Sequence, residues 1–484
     1  MAISARFSSH SSIHINSPYL AGEEFVKRAL SLVNNNMLQP TMANIQFWGI
    51  MSCVEYGRAS GSMSWIYADI AIRLCRELSY HKEEILSTAI HTEDGSIDAV
   101  AMAMRRRIFW SCFMLDKVTS AGTHRIQCVG QADYDAHTTT LAEIILLKEP
   151  DCPRDMYGYP IHEDSLLNIT KHYITCIEKF GQVNRWMSKM SNHRQNDKAL
   201  WPPIAEYRSL DMQLCSWQES LPEKFHFTEG NLKYHQKFAD TQHLAVWLNC
   251  HAMWCCSMII LHRGSLAYTT AVYYETAMTD ELKTKIQRGL ETCYKCADTA
   301  IDIFGAMKDV CGHNMLPYIG YLVYVLATFL MASTFSDIDK DGEKCQKGLT
   351  ILHEFIERLS PYWLSCKNLA DVIKKLLVAH EKYKSNRSQT DNQSQQISKT
   401  TFFSQDLPFS TTPYNQHDHY FAQERLHNAQ VMHDQLKSTE SDYFKNINFN
   451  SIGFLYDTEL FGHLVLGSSR IQTAPYLQDS QSKC

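Results

Sequence analysis

Three consecutive arginines, Arg105, Arg106 and Arg107, head an apolar run whose one acid is Asp116. Such a triplet could grip a phosphate or serve as a nuclear import signal, although three residues are short for either. At the head of a buried helix the arginines instead need acidic partners. Asp116 poses the mirror problem, because an acid inside an apolar helix requires a donor. An internal salt-bridge network answers both, and Asp116→Ala is then expected to destabilise the fold. His251 and His262 fall on the apolar stripe of another helix. Packed core histidines are one reading. The other is that His251, Trp254 and His262 line a site for a small-molecule effector, histidine being the side chain that titrates near physiological pH. The one Cys-x-x-Cys pair, Cys293 and Cys296, lacks the second pair that a structural zinc site needs, so it reads as core packing. No catalytic, metal-binding or DNA-binding residue is expected. Gly-x-Ser-x-Gly, Gly-x-Gly-x-x-Gly, Walker A and His-Glu-x-x-His patterns are absent, and no enzyme activity is expected.

The elements that carry these residues all read as helices. From 63 to 78, Met63, Ile66, Tyr67, Ile70, Ala71, Leu74, Cys75 and Leu78 repeat at the spacing of a helix with one buried face. Ser62 or Ser64 is the expected cap. The segment from 101 to 120 turns apolar nearly all round in its second half and reads as a central helix. Further helices are expected at 166–195, with Leu167, Ile174, Ile177 and Trp186 in the core, and after the Pro202–Pro203 pair. In 243–263, Leu244, Trp247, Leu248, His251, Trp254, Cys255, Met258, Ile259 and His262 share a stripe. Helices are also expected at 286–307, 343–359 and 367–384. The uncharged stretch 317–335 is long enough to raise a membrane question. Its tyrosines and missing basic flanks favour a buried core helix instead. No strand pattern precedes residue 400.

Composition bounds the rest. The chain has 484 residues with 45% hydrophobic and 20% charged content, ordinary values for a globular protein. Only 20 Gly and 13 Pro argue for long helices over a turn-rich β fold. A net charge of −6 lacks the counter-charge that phosphate binding needs. The 16 cysteines sit mostly inside helical patterns and read as free thiols of a reducing, intracellular compartment. The fold class expected is all-α, a multi-helix domain with a disordered C-terminal tail. Residues 1–17 read as a disordered start without a secretory signal, 18–384 as the helical domain, and 385–484 as a low-complexity linker with an acidic and aromatic tail. Acid–aromatic alternation in that tail suits an activation segment.

Two words in this pattern are familiar. Trp65, Ala71, Arg73, Leu78 and His81, followed by Arg105, Arg106, Arg107, Phe109, Trp110 and Asp116, resemble the fungus-specific transcription factor domain, or middle homology region, of binuclear zinc-cluster regulators. The family pattern is a Trp-containing helix ending in Leu-Gly-Leu-His, then Arg-Arg-Arg-x-Phe-Trp and an Asp. Trp217, Leu221 and Pro222 resemble a third word. Leu261, His262 and Arg263 resemble a fourth, with Gly264 where the family has Pro. After Asp116 the family's Gly-Arg-Pro element is departed from at Gly122, Thr123, His124 and Arg125. The resemblance spans roughly 18–384.

The resemblance implies a nuclear, helical regulatory domain of a transcription regulator that controls a metabolic or biosynthetic gene set in the family's manner. It implies that Trp65, Arg73, His81, Arg105, Arg106, Arg107, Trp110, Asp116, His262 and Arg263 are structural or regulatory positions. Zinc belongs to the family's N-terminal module, whose six-cysteine pattern is not found here, so neither metal nor DNA contact is expected of these residues. DNA would be reached indirectly or through that module. The partners expected are transcription machinery or related factors, a homo- or heterodimer, and a small-molecule effector, with no membrane. The alternative is a reader-less helical module that dimerises with full-length relatives and modulates them.

Overall fold

The computed structural model describes residues 1–10, 17–122, 125–140, 143, 166–193, 204–263, 265, 280–313, 315–334, 342–375 and 377–378. Among them the fold is all-α, with a single isolated β-bridge between His91 and Ile97. The expected linker and tail at 385–484 lie outside the described residues, as do Thr123, His124 and Gly264.

The first layer is built from α1 (Glu23–Ser31), α2 (Met42–Gly57), α3 (Gly61–Glu77), the short α4 (Glu83–Ser87) and α5 (Ala99–Ser120). Thr41 caps α2 by accepting from the Asn44 N–H, and Asp98 caps α5 by accepting from the Ala101 N–H. Helices α2 and α3 pack most closely, and both pack on α5. Their contact uses small residues. Ser64, Ala68, Ala71 and Cys75 are the buried line of α3, and the Ser52 hydroxyl donates to the Ser64 carbonyl at 2.8 Å. The stripe read from the sequence is rotated accordingly. Met63 and Ile66 are 37% and 42% exposed, because close approach of two backbones selects alanine and serine over the larger apolar side chains beside them. Neither Ser62 nor Ser64 caps this helix. Ser60 holds the cap position without a side-chain bond.

The second layer surrounds α9 (Thr241–His262). It comprises α6 (Ile169–His193), α7 (Ile204–Glu219), α8 (Glu229–Phe238), α10 (Asp280–Val310), α11 (Ile319–Thr334), α12 (Gly342–Leu359) and a last helix, α13, over 364–375. Asp240 caps α9 by accepting from the His243 N–H. Helices α6, α7, α10 and α11 all pack against α9. Almost every residue from Trp247 to His262 is buried, so the single stripe read from the sequence understates a helix enclosed on all sides. Among the described residues α9 is the one helix long and apolar enough to cross a membrane, and most of it is buried inside the fold. The stretch 317–335, where the sequence raised that question, forms the shorter α11, also enclosed. Helix α5 packs on α6 and joins the layers through one continuous core.

Residues 1–10 correct the expected disordered start. They form a helical turn at Ser4–Phe7 docked on Tyr362 and Trp363. The Arg6 guanidinium lies 4.0 Å from the Trp363 ring and donates to the Tyr362 carbonyl at 2.9 Å, while Phe7 stacks on Tyr362. Burial depresses the Arg6 pKa to about 10. Cation–π contact and a carbonyl acceptor hold the segment where composition alone suggested no partner.

Candidate functional site

The three arginines at the head of α5 have three different fates. Arg107 faces solvent. Arg105 is buried and donates to the Thr88 carbonyl. Arg106 is the hub. Its Nη1 and Nη2 donate to Glu83 at 2.6 and 2.7 Å, and its Nε donates to Glu143 at 2.8 Å. Nη1 also reaches the His137 carbonyl, which accepts from the Trp110 indole at 3.0 Å. The fork therefore ties α4, α5 and the segment around His137. Beside Arg106, and accepting from the Ser87 hydroxyl and the His137 N–H, the Glu83 carboxyl is held down at about 2.

Asp116 does not join that network. It is 1% exposed and forms its own knot with its neighbour Lys117, itself 3% exposed. Asp116 accepts from Lys117 Nζ at 2.7 Å, from the Cys128 N–H at 2.7 Å and from the Val129 N–H at 3.1 Å. Lys117 also donates to the Val129 carbonyl and lies 4.7 Å from the Phe113 ring. Burial lowers the Lys117 pKa, and Asp116 opposes that shift. Gly181 on α6 makes room for the stem, since a Cβ there would meet Lys117 Cδ at 2.6 Å. The single network expected from the sequence is thus two networks. The donor for Asp116 is the adjacent lysine, because the helix turns the arginines and Asp116 toward different neighbours.

The remaining family positions are dispersed. Trp65 is half-buried under Arg125, whose guanidinium lies 5.9 Å from the ring and donates to the Gly61 carbonyl. Arg73 is exposed on α3. His81 follows α3, with its pKa lowered mainly by burial, and its carbonyl accepts from the Asp135 N–H. His262 bonds Tyr207 Oη through Nδ1 at 2.6 Å and Asp211 through Nε2 at 2.9 Å, tying α9 to α7. Arg263 is buried next to it.

The candidate effector-lining residues are each bonded within the core. His251 Nε2 bonds the Phe225 carbonyl at 2.8 Å, and burial holds its pKa at about 4. The Trp254 indole donates to the Leu214 carbonyl at 2.9 Å. Both, like His262, are engaged with their neighbours inside the core. An open space lies elsewhere among the described residues. A cavity of about 530 Å³ opens between α5, α6, the first half of α9 and the start of α11, with Met114, Phe180, Asn249, Met253, Met315 and Tyr318 among its walls. The sequence carried no signal for it, because its lining comes from four helices far apart in the chain. Among the described residues no three His, Cys, Asp or Glu side chains could hold a metal ion. Cys293 and Cys296 are buried in the core, as the packing reading of that pair requires.

Comparison with known proteins finds a likeness over the first part of the chain. Residues 1–171 match the family model of the fungal specific transcription factor domain, the family whose words were read around Trp65 and Arg105–Trp110. That family is a transcription factor domain and not an enzyme family. An uncharacterized transcriptional regulatory protein of Schizosaccharomyces pombe is 24% identical over 248 residues, covering 48% of this chain and 25% of the relative. A Zn(2)-C6 fungal-type transcription factor, FTF1c, of Fusarium oxysporum f. sp. lycopersici is 23% identical over 250 residues, 49% of this chain and 27% of its own length. A second uncharacterized transcriptional regulatory protein of Schizosaccharomyces pombe is 20% identical over 365 residues, 70% of this chain and 43% of the relative. The chain thus spans about a quarter to under half of the length of these relatives. No solved structure matches it.

Proposed function

We propose, for a chain whose residues 1–171 carry the fungal specific transcription factor domain, the role of a regulatory domain in a fungal transcription regulator acting in the nucleus. The observation that carries this reading is the coincidence of the family match with the two polar networks on α5. The words Arg105–Trp110 and Asp116 are the residues that tie the first helical layer together. In this reading the domain has two arrangements, and a small molecule or partner that binds one of them better shifts the population and with it transcription. A shift from 1:99 to 99:1 needs about 5.5 kcal/mol of differential affinity. DNA contact is assigned to a zinc-cluster module of the kind that the Fusarium relative's name describes, and none is assigned to the described residues.

The test is a tethering assay. The chain is fused to an unrelated DNA-binding domain and measured on a reporter carrying that domain's site. Expected is a change in reporter output, in either direction, against the DNA-binding domain alone. Output identical to the DNA-binding domain alone, with the fusion present in the nucleus at equal abundance, would sink the reading.

A further inference from the structure

The cavity beside α9 has a chemistry that narrows what it would hold. No Asp, Glu, Lys, Arg or His side chain lines it. A charged ligand would therefore enter without a counter-charge, which burial strongly disfavours. Three of its walls are thioethers, Met114, Met253 and Met315, which adapt to the shape of a guest and favour aromatic edges. The rings of Phe180 and Tyr318 supply flat apolar surface. Its volume of about 530 Å³ lies in the range of small-molecule sites, roughly 300–1,000 Å³.

Two wall residues, Asn249 and Tyr318, have a buried polar atom without a hydrogen-bond partner. The Asn249 amide donates from Nδ2 to Tyr173 Oη at 2.7 Å, while its Oδ1 is buried without a hydrogen-bond partner. With Nδ2 on the Tyr173 hydroxyl, the head left over is the acceptor Oδ1, which calls for a donor. A buried amide oxygen left unpaired carries a desolvation cost. A guest bearing one hydroxyl or N–H group would relieve that cost when the Asn249 side chain turns toward it. Position adds meaning to chemistry. A guest here would touch α5, which carries the family words, and also α9 and α11, which lie beyond the matched segment.

We infer that the cavity between α5, α6, α9 and α11 binds an uncharged, ring-sized apolar molecule with one hydrogen-bond donor, recognised by the Asn249 amide. As a regulatory site it rests on the proposed function; as a binding site it does not.

The experiment uses 2-naphthol and its methyl ether as probes, titrated calorimetrically into the purified full chain. Expected is saturable one-to-one binding of 2-naphthol, with the ether at least tenfold weaker. Ala245→Trp, at the half-buried edge of the lining, is expected to abolish binding of both, and Asn249→Leu to erase the difference between them. Should Asn249→Leu fail to fold, the wild-type comparison and Ala245→Trp still decide. No saturable binding, or binding untouched by Ala245→Trp, overturns the site. Equal affinity for the two probes overturns recognition by Asn249. A silent reporter in the tethering assay beside intact naphthol binding would remove the regulatory role alone.

Discussion

Both carboxylate oxygens of Glu83 are held by one guanidinium, that of Arg106, at 2.6 and 2.7 Å. The arginine comes from α5 and the acid from α4, so the pair fixes the approach of the family's second word to the turn that ends its first. The fork makes the pair geometrically demanding, which a lysine could not reproduce.

The pair makes stability depend on acid. Glu83 titrates at about 2 in the folded chain, below its ordinary 4.5. A carboxyl with a depressed folded value adds stability above 4.5, and that contribution is lost as the pH falls through 2. Melting temperature measured from pH 5 to pH 2.5 is expected to fall more steeply in the wild type than in Glu83→Gln. Parallel curves would show that the fork adds nothing. Arg106→Ala leaves Glu83 and Glu143 facing a gap and is expected to cost about 3 kcal/mol in urea unfolding.

The Asp116–Lys117 knot gives a different signature, because both members are buried. Asp116→Ala strands a buried ammonium and two backbone N–H groups, with an expected loss of about 3–5 kcal/mol. The double variant Asp116→Leu, Lys117→Met removes both charges and is expected to recover part of it. An unchanged melting temperature for Asp116→Ala alone would refute the knot's role.

The end of α3 carries a strained serine. Ser79 adopts φ 58°, its N–H donates to the Arg76 carbonyl, and the Tyr80 N–H donates to the Cys75 carbonyl at 3.2 Å. This is a Schellman ending, whose left-handed position favours glycine. The family word Leu-Gly-Leu-His has glycine where this chain has Ser79, and the backbone explains why. Ser79→Gly is expected to raise stability by about 1 kcal/mol, read as a higher melting temperature. Ala59, at φ 62° after α2, is expected to behave likewise.

Histidine burial adds an acid sensitivity at higher pH. His251 and His172 are both held at about 4 by desolvation. Between about 4 and the ordinary 6.5 the unfolded chain binds more protons, so stability falls as the pH drops through that window. His251→Gln, whose amide can keep the bond to the Phe225 carbonyl, is expected to flatten the stability curve between pH 6.5 and 4. A curve as steep as the wild type's would reject His251 as a contributor.

The helical class and the family were legible from local pattern. Apolar residues at helical spacing found α3, α6, α9 and α10 within a few residues, since a helix writes its period into the chain. The words around Trp65 and Arg105–Trp110 led to the family that the comparison matched over 1–171. Pattern went astray where packing outranks hydrophobicity. Met63 and Ile66 face out because Ser64 and Ala68 allow α2 closer, and Arg6 is buried because Trp363 and Tyr362 wait for it.

What the sequence determined by itself was the type and order of the helices and the need of each buried charge for a partner. Those follow from spacing and from the cost of burying charge. Only the tertiary structure decided which partner each charge takes: Lys117 for Asp116, Glu83 and Glu143 for Arg106, Tyr207 and Asp211 for His262. It alone showed an open space beside Asn249, and His251 bonded to the Phe225 carbonyl. Partners and cavities arise where helices distant in the chain meet, and the angle and rotation of that meeting are set by the whole core, which no local pattern records.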